Sequence, residues 1–141
     1  MAGGRGTRLK PLTNKAPKAL LKFKNKPLIQ HIIDSAIKKG ISNFIVSVFY
    51  KKKMIINYLK SKNLPGLNIS YIIEKKPLGT IGSIKYIKNI KKSFFVFNCD
   101  SLVNINLDEL MKHHLEKESM LTIVIKNYII MYFRSTKPML F

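Results

Sequence analysis

The chain has 141 residues, enough for one domain with a buried core. Its 26 lysines and arginines against 7 acidic residues give a formal net charge of +19, yet the lysines are spread over the whole chain among abundant Ile and Asn. That dispersal indicates solvated lysine, and no nucleic-acid partner is expected. No apolar run reaches the ~18 residues of a membrane span, so no membrane association is expected either. No secretory leader is visible, and Cys99 stands alone. A reducing cytoplasm is the expected compartment.

In chain order, the first segment is a glycine loop, Met1 to Thr13, in which Gly3, Gly4 and Gly6 leave backbone N–H groups free to close on an anion. Arg5 and Arg8 add guanidinium forks that match phosphate oxygens in pairs. The spacing is neither a dinucleotide fingerprint, since Leu9 stands where a third small residue belongs, nor a P-loop, since no Gly-Lys-Ser/Thr follows. Apolar runs of strand length are predicted at 19–23, 43–49, 67–73, 93–98 and 119–125. Helices lie between them.

Pro27 opens the first helix at its N1 position, with Leu28/Ile32/Ala36 and Ile29/Ile33/Ile37 as its apolar stripe and Gly40 as its end. Met54/Tyr58 and Ile55/Leu59 mark a second, and Pro65-Gly66 turns the chain. Ile81, Ile84 and Ile87 mark a third, with Thr80 as N-cap. A fourth follows Asn106, where Glu109 completes a capping-box spacing. The alternation predicts an α/β fold of Rossmann-like, doubly wound type, a mostly parallel sheet in a three-layer αβα arrangement.

Three motifs recur in order. Ala-Gly-Gly-Arg-Gly-Thr-Arg-Leu-Lys-Pro-Leu-Thr at 2–13 is followed by Pro17-Lys18 and Lys26-Pro27; next comes Glu-Lys-Lys-Pro-Leu-Gly-Thr at 74–80; then Asn98-Cys99-Asp100 ends an apolar run. Together they resemble the signature of the sugar-phosphate nucleotidyltransferases, most nearly those of mannose-1-phosphate guanylyltransferase type. The resemblance runs from about Ala2 to Tyr128.

It implies transfer of a nucleoside monophosphate to a sugar 1-phosphate with release of pyrophosphate. Arg8 and Lys18 are then the catalytic cations, Arg8 on the triphosphate and Lys18 near the α-phosphate or the sugar phosphate. Ala2, Gly3, Gly4, Gly6, Thr7, Glu74, Pro77, Gly79 and Thr80 are the nucleotide-binding residues, and Asp100 is the ligand of a Mg2+ cofactor. Glu74 matches the position that meets the base. An ionised carboxylate there only accepts hydrogen bonds, which suits the adjacent N1–H and 2-amino donors of guanine and sets a carbonyl of uracil against it, so GTP is the favoured nucleotide.

Each residue also has a plain alternative. Asp100 after a strand is a common turn cap, Lys18 a solvated flanking lysine, Glu74 a surface partner of Lys75 or Lys76, and Cys99 a buried thiol. His31, His113 and His114 lack metal-ligand spacing.

The resemblance also sets expectations for the chain as a whole. Met1 falls at the last position of the family's central strand, so that strand is expected to be missing. Residues 1–128 are expected to form the N-terminal part of a nucleotidyltransferase domain, and 129–141 a divergent tail. No acidic residue follows Glu118, where the family carries a second magnesium-binding aspartate. The chain is therefore expected to be an inactive fragment of a protein in which self-association stays open. A module that binds nucleotide without turnover, or less favourably a basic nucleic-acid binder, are the alternatives.

Overall fold

The computed structural model describes residues 1–79, 81–88, 90, 92–100 and 105–124, and the backbone of 131–133. It divides into two compact units, Met1–Leu102 and Val103–Phe141.

The first unit is built on a βαβ crossover. Strands β3 (Asn43–Val48) and β4 (Asn68–Ile73) pair in parallel, in register from Asn43 opposite Asn68 to Val48 opposite Ile73, with α3 (Lys52–Ser61) between them. Helix α2 (Leu28–Ile37) precedes β3 and ends with Lys38 as its C-cap, Gly40 taking φ +74° in the turn that follows. Ile29 and Ile33 of α2 join Val46 and Val48 of β3 and Ile55 and Leu59 of α3 in one core, which also takes in Ala2, Ala19 and Cys99. Polar bonds tie the same elements: the Tyr58 hydroxyl donates to Gln30 Oε1 (3.1 Å), and the Gln30 amide donates to Asp34 Oδ1 (2.7 Å).

Ile55 is fully buried at the centre of this core. Ile55→Ala should therefore lower stability by about 2–5 kcal/mol, the range for a large-to-small core truncation. A denaturant midpoint within error of the parent would contradict that placement.

Several predicted elements take a different form. The run 19–23 is a 3-10 turn, Lys18–Leu20, leading into β1 (Lys22–Phe23), which returns as β2 (Lys26–Pro27) after the short helix α1 (Leu12–Lys15) has opened the segment. The cause is local, because Lys24 and Asn25 both adopt positive φ and close a two-residue hairpin. Pro27 is the N-cap of α2 rather than N1. The Ile81/Ile84/Ile87 repeat forms a 3-10 helix, Gly82–Tyr86. A spacing of three is the repeat of that tighter helix. The N-cap expected at Thr80 lies outside the described residues.

Residues 1–3 belong to no assigned strand, yet they are hydrogen-bonded on two sides. Ala2 N–H donates to Ser47 O (2.9 Å) and Gly3 O accepts from Tyr50 N–H (3.4 Å) on one side. On the other, the Met1 ammonium donates to Phe97 O (2.6 Å) and Met1 O accepts from Cys99 N–H (3.1 Å). Residues 1–3 thus bridge β3 and the 97–99 segment. The run 93–98 is assigned no strand; Phe97 O accepts from the Met1 ammonium.

In the second unit α4 spans Leu107–Glu116, capped by Asn106, whose side-chain oxygen accepts from Asp108 N–H (3.2 Å). The strand predicted at 119–125 is the shorter β5 (Leu121–Ile123), antiparallel to β6 (Met131–Phe133). No helix among the described residues is long and apolar enough to cross a membrane.

Candidate functional site

The glycine loop leaves the sheet at Ala2, which is buried and fixed by its bond to Ser47. Gly3 comes next, and a side chain there would stand 3.2 Å from Glu74 Oε1. Gly4 opens onto free space. Gly6 adopts φ +62°, ψ 38°, and a Cβ on it would lie 2.8 Å from Thr13 Cγ2 and 3.2 Å from Lys18 Cβ. Two demands therefore require glycine at this position: left-handed backbone and close approach. The buried Thr13 hydroxyl donates to Gly6 O (3.0 Å), and Leu9 N–H donates to the same oxygen (2.9 Å), closing the 3-10 turn Thr7–Leu9.

Beside this turn lies a cavity of about 160 Å³ lined by Arg5, Thr7, Lys10, Thr13, Asn14 and Tyr50. Arg5 is held over the Phe49 ring at 6.0 Å. Arg8 is exposed, with no hydrogen bond or ion pair among the described residues. Its guanidinium is available to an anion.

Lys18 packs its Cβ close to Gly6 and its ammonium forms an ion pair with Asp100, 82 residues further along the chain. Asp100 is carried there by Cys99, whose N–H is bonded to Met1 O. The hydrogen bond from Lys18 holds the Asp100 carboxyl below the usual carboxylate range, against a smaller upward push from burial. Burial pushes the Cys99 thiol up, so it stays protonated and is no nucleophile. Gly6, Lys18 and Asp100 form one cluster at the end of the sheet from which the glycine loop departs.

Glu74 follows β4 and is buried at 7% exposure. Its Oε1 accepts from the Ser47 hydroxyl of β3, and its Oε2 accepts from Leu78 N–H at 3.3 Å. It is therefore no surface partner of Lys75 or Lys76. Pro77 and Gly79 are exposed on the loop that follows, Gly79 with φ +76° and open space around it, and Thr80 lies outside the described residues. Ser47 was not singled out by its sequence context. The available signal was its hydroxyl inside the apolar run Phe-Ile-Val-Ser-Val-Phe at 44–49, since a buried polar group needs a partner.

Among the described residues no three His, Cys, Asp or Glu side chains converge on a point. Among the described residues of this cluster Asp100 is the carboxylate, and magnesium commonly takes one or two carboxylates with phosphate oxygens and water. The donor chemistry fits such a half-site. His31 is engaged with Phe23 O (2.8 Å) and His114 with Thr122 Oγ1 (2.9 Å).

Comparison with known proteins follows the same lines. Residues 1–129 match the nucleotidyl transferase family. The chain is 36% identical over 129 residues to the mannose-1-phosphate guanyltransferase of Yarrowia lipolytica, covering 88% of this chain and 36% of that protein. It is 33% identical over 130 residues to the catalytic subunit beta of mannose-1-phosphate guanylyltransferase of Danio rerio, covering 89% of this chain and 36% of the relative. The crystal structure of HddC from Yersinia pseudotuberculosis complexed with GMP-PN superposes with a TM-score of 0.69 at 32% identity, over 82% of this chain and 52% of that one. This chain spans about a third of the length of the curated relatives it matches.

Proposed function

Because this chain belongs to the nucleotidyl transferase family, we propose that it supplies the nucleotide-binding part of a site that transfers a guanosine monophosphate group from GTP to a sugar 1-phosphate, releasing pyrophosphate. The observation that carries this reading is the meeting of Gly6, Lys18 and Asp100. An anion-closing loop, a cation and a hard carboxylate are what a triphosphate and its metal require together. Guanine and mannose 1-phosphate are favoured by the names of the relatives and by the acceptor character of Glu74.

In this reaction a phosphate oxygen of the sugar bonds to the α-phosphorus while the bond to the β-phosphate oxygen breaks, in line, and pyrophosphate leaves with that electron pair. The nucleophile is already ionised, so no general base is assigned. The protein's task is to hold two anions together and to neutralise charge on the leaving group. Backbone N–H groups of Gly3 to Thr7 and the Arg8 guanidinium face the triphosphate, and Lys18 faces the transferred phosphoryl group. Asp100 would hold magnesium, which would supply positive charge against the phosphates.

The 141-residue chain offers one carboxylate at that point, where the resemblance calls for two. It is therefore assigned nucleotide binding, with turnover in the whole protein. Lysines otherwise suggestive of nucleic acid are partly spent on structure, as Lys51 donates to Asn14 O (2.6 Å) and Lys15 O (3.0 Å), and Lys26 pairs with Asp34 (2.6 Å). The cytoplasmic assignment rests on the lone buried thiol.

Calorimetric titration with GTP, followed by a pyrophosphate-release assay with GTP and mannose 1-phosphate, tests this. Binding with little release is the expected pair of results. No GTP binding would sink the reading, and robust release would sink the need for a second carboxylate. In a full-length enzyme carrying these residues, Arg8→Ala should cut pyrophosphate release more than ~100-fold, on the scale of one transition-state donor. Arg5→Ala should cost less, and near-normal release by Arg8→Ala would remove Arg8 from the mechanism.

A further inference from the structure

We infer that Ser47 is a positioning residue for nucleobase selection, acting through Glu74; the inference rests on the functional reading above. Ser47 is 2% exposed, on the last turn of pleat of β3 before the chain leaves the sheet. Its backbone oxygen fixes Ala2 at the root of the glycine loop, and its hydroxyl donates to Glu74 Oε1. One residue therefore ties the loop that receives phosphates to the carboxylate beneath it.

The second anchor is Leu78 N–H on Oε2, from the loop after β4. A carboxylate has about four acceptor positions, so two remain once Ser47 and Leu78 are served. With a donor fixed on each oxygen, the carboxylate plane cannot rotate. Each oxygen keeps acceptor capacity beyond its internal donor, and the absence of a side chain on Gly3 lets that buried carboxylate lie directly against the loop backbone.

A base edge that meets a fixed pair of acceptors must bring two adjacent donors. Guanine does so with N1–H and its 2-amino group. Uracil brings one N–H between two carbonyls, so one of its oxygens meets a carboxylate oxygen. Without the Ser47 hydroxyl, Oε1 loses its internal donor and the carboxylate is free to turn, and the acceptor pair is no longer presented as a unit. Ser47 does not touch the nucleotide in this scheme; it sets what Glu74 presents.

The test is direct binding of GTP and of UTP to the 141-residue chain by calorimetry, without turnover. The parent should prefer GTP. Ser47→Ala should reduce that preference about tenfold, the scale of one hydrogen bond to a charged group, by weakening GTP while UTP stays within about twofold. Ser47→Thr, which keeps the hydroxyl, should retain the preference. Should alanine at this buried position fail to fold, Ser47→Cys keeps the volume with a weaker donor and should lower the preference by a smaller factor. An unchanged preference in the Ala or Cys variant, or an equal loss for both nucleotides, overturns the role of Ser47. A parent that binds UTP as well as GTP removes the guanine assignment and this inference with it, whereas a parent that binds neither removes the functional reading itself.

Discussion

Lys18→Ala should cost the chain roughly 100-fold in metal-free GTP affinity while barely moving its unfolding transition. The two effects separate because of where the charges lie. The side chains of Lys18 and Asp100 are 27% and 41% exposed, so the pair adds little to stability, as solvent-screened pairs contribute about 0–1 kcal/mol. Triphosphate binding is different, since the substitution removes a cation and also leaves the Asp100 charge facing the incoming phosphates. Repulsion is added to lost attraction. The double variant Lys18→Ala/Asp100→Ala should therefore bind about tenfold better than Lys18→Ala alone, a coupling within the range seen for neighbouring groups. Losses that simply add would show that the two residues do not share a site.

The same pair has a pH signature. The Asp100 carboxyl is depressed in the folded chain, chiefly by its hydrogen bond from Lys18. A depressed carboxyl stabilises the fold above its unfolded value, and that contribution is lost as pH falls through the folded value. In Lys18→Ala the Asp100 titration, followed by carboxyl-carbon NMR, should move upward. An unmoved titration would place the ammonium elsewhere.

Gly6→Ala should be the most damaging single change in the loop. A left-handed non-glycine residue costs about 1–2 kcal/mol. Here the new methyl also meets Thr13 Cγ2 at 2.8 Å, and Thr13 is 1% exposed with its hydroxyl already bonded to Gly6 O, so it has no room to withdraw. The loop must open, taking Thr7 and Arg8 with it, and GTP affinity should fall by at least ~100-fold as the phosphate-facing N–H groups and cation lose their common geometry. Gly4→Ala is the internal control, because nothing lies within 4 Å of that added methyl. It should leave stability within about 0.5 kcal/mol of the parent. Comparable destabilisation by both would show that the Gly6 geometry is misassigned.

What the sequence by itself determined is local. The apolar spacing of α2 and α3, the runs that became β3 and β4, the Asn106 cap and the glycine demanded at position 6 all depend on preferences spanning a few residues. Where local reading slipped, local causes suffice: the three-residue isoleucine spacing belongs to a 3-10 helix, and Lys24-Asn25 turns a predicted strand into a hairpin. The motifs also selected Lys18 and Asp100, through family resemblance and not through any contact legible in the chain. Only the tertiary structure decided that these two meet across 82 residues, that Met1–Gly3 joins β3 to the 97–99 segment, and that Ser47 reaches Glu74 across 27. Such contacts depend on strand order and on the parallel register that sets Val48 opposite Ile73. Short-range periodicity carries no information on either, because the same apolar runs satisfy their burial in many pairings and only the packed sheet fixes one.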